Sequence, residues 1–217
     1  MARVSAPRPQ IAIVDYGVGN LRSVAKALEH VGADVVISAE RDQLGVADAL
    51  LLPGVGAFPE AMRRIGERGL AGPIRERVAA GTPLLGICLG MQLLFESSSE
   101  LGGAAGLGLL PGRVEGLRAE GLKLPHIGWS PVWRRRDSAL TAELPEDGEP
   151  FYFVHSFVAR PRPEHLLACS EHGEEFAAIV GDGRVFGAQF HPEKSSRAGL
   201  RMLSAFLSIA APAGVGR

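Results

Sequence analysis

The chain has 217 residues, enough for one α/β domain with a full core. A net charge of -1 and a pI near 6.6 give neither sign a lead, so bulk binding to nucleic acid or to an anionic membrane has no electrostatic support. The two cysteines, Cys88 and Cys169, make no disulfide framework and fit a reducing, cytoplasmic setting, and no apolar run approaches membrane-spanning length.

Residues 1–10 lack the apolar core of a signal peptide and are expected to be a flexible tail, as are residues 211–217. Residues 11–210 are expected to form a single domain. Ile11-Ala12-Ile13-Val14-Asp15 reads as a buried first strand, followed by the loop Tyr16-Gly17-Val18-Gly19-Asn20. A helix runs to about Val31, with Leu21, Val24, Leu28 and Val31 on one face and Gly32 as its stop. Val35 to Ile37 and Ala49 to Leu52 read as the next two strands, the second broken by Pro53-Gly54-Val55-Gly56. Helical stretches follow over roughly Pro59–Glu67 and Ala71–Ala80, then a strand over Leu84–Ile87 and a helix through Met91-Gln92-Leu93-Leu94-Phe95. Strand alternating with helix predicts a parallel sheet with helices on both faces. After Gly102 the helical period disappears, and strands and hairpins appended to the sheet are expected between Leu107 and Arg136. Phe151–Val158, Leu166–Ser170, Phe176–Val180 and Arg184–Phe190 read as further short strands, and Ser196–Ile209 as a final helix. The fold class is therefore α/β, an open, mostly parallel sheet with appended antiparallel strands. Arg134-Arg135-Arg136 reads as a solvated turn.

Chemistry concentrates at Gly86-Ile87-Cys88-Leu89-Gly90, between an apolar strand and a helix. A small-x-nucleophile-x-small pentapeptide at such a turn is a nucleophile elbow. Its glycines permit the sharp turn, and the thiol sits at a helix N-terminus, where free N–H groups and the dipole favour thiolate. The competing reading is a small buried hydrophobe at a strand end. A nucleophilic Cys needs a base, and the base needs an orienter. Among six histidines, His191 ends an apolar strand and is followed by Pro192-Glu193. In an extended segment His191 and Glu193 project to one side, at the carboxyl edge of the sheet. Glu193 would hold one imidazole nitrogen and leave the other for the thiol; alone, the segment reads rather as a His-Pro turn with a surface Glu, and the elbow reverses that preference. An oxyanion site would take the Leu89 N–H and a backbone N–H from Gly54-Val55-Gly56. Glu96 and Glu100 make no carboxylate pair, no cluster has metal-ligand spacing, and Gly17-Val18-Gly19-Asn20 lacks the third glycine of a dinucleotide fingerprint.

Gly86-Ile87-Cys88-Leu89-Gly90-Met91-Gln92 together with Phe190-His191-Pro192-Glu193 resembles the class I, triad-type glutamine amidotransferases. Asp15-Tyr16-Gly17-Val18-Gly19-Asn20-Leu21, Pro53-Gly54-Val55-Gly56-Ala57-Phe58, Tyr152-Phe153-Val154-His155-Ser156 and His191-Pro192-Glu193-Lys194-Ser195 narrow the resemblance. They are similar to segments of the glutaminase subunits of imidazole glycerol phosphate synthase, from histidine biosynthesis. The resemblance runs from about Ile11 to Ile209.

It implies hydrolysis of L-glutamine to glutamate and ammonia through a glutamyl thioester. The ammonia would pass to a separate (β/α)8 cyclase subunit in a heterodimer, which makes imidazole glycerol phosphate and an aminoimidazole carboxamide ribotide. Ammonia released into water would be protonated, so a dry path is implied. A barrel needs roughly 250 residues by itself, so the cyclase is expected on another chain. Carried over by position, Cys88 is the nucleophile, His191 the general acid/base and Glu193 its orienter, with Val55, Gly56 and Leu89 at the oxyanion site. Gly54, Gly56, Gln92, His155, Ser156 and Phe157 match substrate-binding positions; Asn20, Trp129, Tyr152 and Lys194 match positions near the cyclase. No cofactor, metal, nucleic acid or membrane enters. Ser130 stands where the family usually shows Asn, and Phe157 where Tyr is common. The glycines at the oxyanion strand suggest a glutaminase weak alone and activated by its partner. Two alternatives stay open: a glutaminase serving a different synthase, and a non-catalytic α/β regulatory module.

Overall fold

Three fully buried apolar runs, Ile11–Val14, Ala49–Leu52 and Leu84–Ile87, lie side by side at the centre of the molecule. The computed structural model describes residues 8–211; apart from Arg8–Gln10 and Ala211, both expected tails lie outside the described residues. In chain order the elements are β1 (Gln10–Val14), α1 (Leu21–His30), β2 (Asp34–Ser38), α2 (Arg41–Val46), β3 (Ala49–Leu52), α3 (Phe58–Glu67), α4 (Ala71–Ala79), β4 (Leu84–Ile87), α5 (Leu89–Leu93) and β5 (Phe95–Ser98). They continue with β6 (Ala104–Ala105), β7 (Leu110–Gly116), β8 (His126–Arg134), β9 (Glu149–His155), β10 (Phe157–Pro161), β11 (Leu166–His172), β12 (Glu174–Asp182), β13 (Val185–Ala188) and α6 (Ser196–Ala210). Nine strands form one sheet in the order β2-β1-β3-β4-β13-β12-β11-β8-β9, parallel from β2 to β13 and antiparallel beyond. A second sheet has the order β10-β7-β5-β6.

Alternation along β1 shows why helices cover both faces. Ile11 and Ile13 join Val24 and Leu28 of α1 and Leu203 and Phe206 of α6 in one core. Ala12 and Val14 point the other way, into a core with Phe58 and Ile65 of α3, Ile74 of α4 and Met91 and Leu93 of α5. The parallel half of the sheet, the two-sided helical cover and the antiparallel extension agree with the sequence reading, though the antiparallel pairings are as many as the parallel ones. Helix α1 ends as expected before Gly32, whose φ of +102° suits a left-handed cap.

Three details differ from the sequence reading. Helix α2 was not expected: it has six residues around one buried side chain, Leu44, too short to show a period. The helix after Cys88 stops at Leu93 rather than Phe95, because Glu96-Ser97-Ser98-Ser99 favours turns and backbone capping over helix and continues from Phe95 as β5. The single strand expected over Phe151–Val158 is two. His155 pairs with His126 in the large sheet and Phe157 with Gly116 in the small one, with the break at Ser156. Among the described residues, no helix is long and apolar enough to cross a membrane.

Candidate active site

Cys88 has φ 53° and ψ -113°, a strained conformation for a residue with a side chain. It is held by β4 and β13 on one side, the Cys88 N–H donating to the Ala188 carbonyl at 2.7 Å, and by α5 on the other. The elbow works only because Gly90 has no side chain: a Cβ there would stand 1.8 Å from the Leu52 carbonyl oxygen. Gly54 is equally constrained, since a Cβ would meet the Tyr16 hydroxyl at 2.6 Å and the Gly90 nitrogen at 2.8 Å. The loop Pro53–Gly56 is thereby laid against Leu89 and Gly90. The buried Tyr16 hydroxyl donates to the Pro53 carbonyl at 2.7 Å and pins the loop from below. Burial, and next the charge of Cys88, push Tyr16 far above the ordinary phenol range, so it stays a donor.

His191 follows β13, and its N–H donates to the Tyr152 carbonyl of β9 at 2.9 Å. Its Nδ1 stands 2.9 Å from Glu193 Oε1, with both side chains buried. The expected pairing is present by another route: Pro192–Lys194 form a 3-10 turn, not an extended segment, and the turn brings Glu193 back beneath the imidazole. A carboxylate only accepts, so Nδ1 carries the proton and Nε2 is left toward Cys88. Among the described residues Nε2 has no hydrogen-bond partner. Burial opposes a charge on His191, but the neighbouring Cys88 and Glu193 outweigh it and raise the imidazole to about 9. Ser195 fastens this turn: its hydroxyl donates to the His191 carbonyl at 2.7 Å and accepts the Tyr152 N–H at 3.0 Å.

Cys88 and His191 face a cavity of about 310 Å³, lined also by Val55, Gly56, Leu89, Gln92, Glu100, Pro125, Val154, His155, Ser156 and Phe157. The residues expected at the oxyanion and substrate positions are thus together, except Gly54, which is buried against Tyr16 and Gly90 rather than on the wall. Gly56, φ +94°, is exposed at the mouth with Val55. Sequence reasoning set Glu100 aside for lack of a carboxylate partner; it reaches the cavity because β5 turns away, and its Oε2 accepts the Phe58 N–H at 2.8 Å. Gln189, also missed, is fully buried with its amide 3.8 Å from the Cys88 sulfur. It follows the end of β13, two positions before His191, and that spacing, read as extended chain, was the available signal.

His155 is oriented by a chain of bonds. The Phe157 carbonyl can only accept, so His155 Nδ1 donates to it at 3.1 Å. His155 Nε2 then accepts from His126 Nδ1 at 3.2 Å, and His126 Nε2 accepts from the Ser130 hydroxyl at 2.9 Å. Burial, then the charge of His172, lowers His126 to about 4; burial, then His126, lowers His155 to about 3. Ser130 therefore serves an inward histidine, and Phe157 takes part through its backbone carbonyl.

Asn20, Trp129, Tyr152 and Lys194 stand outside the cavity. Asn20 precedes α1 and makes no side-chain cap. Trp129 on β8 is 52% exposed and meets Tyr152 of β9 edge-on at 6.0 Å, while Lys194 Nζ lies 5.7 Å from the Tyr152 ring centre. Ile127, 61% exposed, pairs across the hairpin with Val154, a cavity residue. The outer face of β8–β9 is thus apolar and reaches the cavity rim.

A thiol in a strained elbow, an imidazole and a buried carboxylate around one cavity form the constellation of a thiol-dependent acyl-transfer enzyme. The chain belongs to the class I glutamine amidotransferase family, whose family model, Glutamine amidotransferase class-I, matches residues 12–210. It is 49% identical to the imidazole glycerol phosphate synthase subunit HisH of Moorella thermoacetica, over 94% of this chain and 97% of that one. It is 50% identical to the subunit of the same name from Shouchella clausii, over 90% and 96%. Among solved structures it resembles PurLQS from Thermotoga maritima at TM-score 0.74 and 20% identity, covering 94% of this chain and all of that one. A crystal structure of a glutamine amidotransferase aligns at TM-score 0.71 and 22% identity, covering 91% and 98%.

Proposed function

We propose that this chain is the glutaminase subunit of an imidazole glycerol phosphate synthase, releasing ammonia for a separate cyclase subunit. The observation that carries the reading is the Cys88–His191–Glu193 constellation at a cavity sized for a single amino acid, in a chain about half identical to HisH subunits along nearly its whole length.

The carboxamide carbon of glutamine is attacked by the Cys88 sulfur, whose proton resides on His191. The oxygen becomes an oxyanion facing the Leu89 N–H and a peptide N–H of the Gly54–Gly56 loop. The C–N bond breaks as His191 gives its proton to the leaving nitrogen, so ammonia departs and a thioester remains. Water then attacks the thioester carbon, His191 takes the water's proton, and the C–S bond breaks to return Cys88 and free glutamate. Glu193 holds the imidazole orientation throughout and offsets its charge. Glu100 suits the substrate α-ammonium, being the carboxylate on the wall; Gln92 and the 155–157 segment hold the remaining polar end.

A cyclase partner fits the outer face of β8–β9, where Ile127, Trp129 and Tyr152 lie beside the cavity rim. Asn20 and Lys194 belong to the same partner-facing set, and closure of this face by a barrel would keep ammonia from water. The test is the reconstituted complex with Cys88→Ala. Glutamine-dependent synthesis should be lost and ammonia-dependent synthesis retained; glutamine-dependent synthesis persisting in that variant sinks the assignment.

A further inference from the structure

The thiol of Cys88 has two polar neighbours besides the triad. The Val154 carbonyl lies 3.8 Å from Sγ, and Gln189 Nε2 lies 3.8 Å from it on another element. A thiol can donate to the carbonyl. A thiolate cannot, and then faces the negative end of that dipole, so the Gln189 N–H is the donor that answers the charge.

The direction of the Gln189 amide is dictated from a distance. The Phe157 carbonyl accepts only, so Gln92 must turn its amine toward it, and Nε2 donates there at 2.9 Å. The second hydrogen of the same amine goes to Gln189 Oε1 at 3.0 Å. With its oxygen so engaged, Gln189 can present only its amine to the sulfur. Gln189 is fully buried and Gln92 is 4% exposed, so water does not compete for these bonds. We infer that Gln189 is a positioning and charge-stabilising residue for the Cys88 thiolate, oriented through Gln92, so that the residue that meets the substrate and the residue that steadies the nucleophile share one hydrogen-bonded unit. The unit acts twice: as the thiol loses its proton to His191, and as the thioester breaks and the sulfur leaves as thiolate. The other ionisable groups near the sulfur or on the wall of its cavity are His191, with Glu193 behind it, His155, Glu100, and Tyr16, which stays neutral. Gln92 also keeps a single free polar atom, its acceptor Oε1, and therefore selects a donor on the substrate.

This inference rests on Cys88 being the nucleophile, and its test reads the sulfur directly. In a Cys169→Ala background, the rate of Cys88 alkylation by iodoacetamide is followed against pH alongside glutaminase kcat and KM. Gln189→Glu keeps the acceptor for Gln92 but sets a carboxyl in place of the donor amine. Gln189→Met has similar length and no donor, and it gives the same readout if a buried charge prevents folding. Gln92→Leu leaves Gln189 present but undirected. Each substitution should move the alkylation midpoint to higher pH, by about one unit for Gln189→Met, and lower kcat about 10-fold or more. KM should change less than kcat in the Gln189 variants. The Gln92→Leu/Gln189→Met double variant should alkylate no more slowly than Gln189→Met alone, as expected for residues acting as a unit. A folded Gln189→Met or Gln189→Glu protein with an alkylation profile superimposable on that of the parent overturns the inference. If Cys88→Ala has meanwhile abolished glutaminase activity, only this inference falls and the proposed function stands.

Discussion

At the scale of single residues, the site is a set of matched donors and acceptors in which each side chain has one permitted orientation. Glu193 accepts from His191 Nδ1 and so commits Nε2 to the sulfur. Removing that charge without changing shape, Glu193→Gln, should lower kcat by about 10²–10⁴-fold with little change in melting temperature. NMR titration should find the imidazole below its parental value near 9, because the carboxylate charge that helps raise it is gone. Cys169 is the contrasting thiol: it is fully buried on β11, and burial raises it to about 11. Cys169→Ala should leave glutaminase activity within about two-fold, as expected of a group in no contact with the site.

Legibility at this scale followed chemistry that is local in sequence. Cys88 and the His191–Glu193 pair carry their spacing in the chain, so both were readable. Glu100 and Gln189 were not, for different reasons. Glu100 reaches the cavity only because the chain leaves α5 for β5. Gln189 was passed over as part of an apolar strand, although its same-side spacing to His191 was visible. The orientation of the Gln189 amide depends on Phe157, far away in sequence, and no local pattern records it.

At the scale of elements, the site depends on close approach of backbone segments. The elbow needs Gly90, and Gly90→Ala places a methyl against the Leu52 carbonyl; the variant should lose several kcal/mol of stability or fail to accumulate as a folded protein. Ser195 joins the His191 turn to β9 with two bonds. Ser195→Ala should cost about 1–3 kcal/mol, since the Tyr152 N–H loses its acceptor, and denaturant melts of the pure chain measure this. The β8–β9 hairpin alternates strictly: His126, Phe151, Phe153 and His155 face in, while Ile127, Trp129 and Tyr152 face out. If the proposed cyclase partner docks on the outer face, Trp129→Asp should leave the melting temperature of the isolated chain nearly unchanged and weaken capture of that partner at least about 10-fold. Unchanged capture would show that the partner sits elsewhere.

At the scale of the whole molecule, the antiparallel extension brings distant chain segments to the carboxyl edge of the parallel half. His126 and His155 meet across the hairpin, among Phe153, Phe176 and His172. Their folded-state values near 4 and 3 lie below the unfolded value of about 6.5. The unfolded chain therefore takes up protons first as pH falls. The contribution of these two histidines is complete above about 6.5 and drains between 6.5 and about 4 for His126 and about 3 for His155, by at most about 1.4 kcal/mol per pH unit for each. His191 works oppositely: raised to about 9, it stabilises the fold below 6.5 and loses that contribution as pH rises through 9. Melting temperature should thus fall between pH 6.5 and 4.5, and His126→Phe should flatten that fall. A slope in His126→Phe equal to that of the parent would rule the cluster out as its cause.

The sequence by itself determined the βα alternation, the strand and helix faces, the elbow, the partner histidine with its carboxylate, and the family resemblance. All of these rest on spacings of a few residues, which backbone geometry converts directly into facing side chains. Only the tertiary structure decided where the Phe151–Val158 run divides between two sheets, that Glu100 reaches the cavity, and that a carbonyl at Phe157 orients the Gln92 amide and, through it, the Gln189 amine beside the sulfur. Those outcomes depend on hydrogen bonds between segments far apart in the chain, and such bonds exist only once packing has brought the segments together.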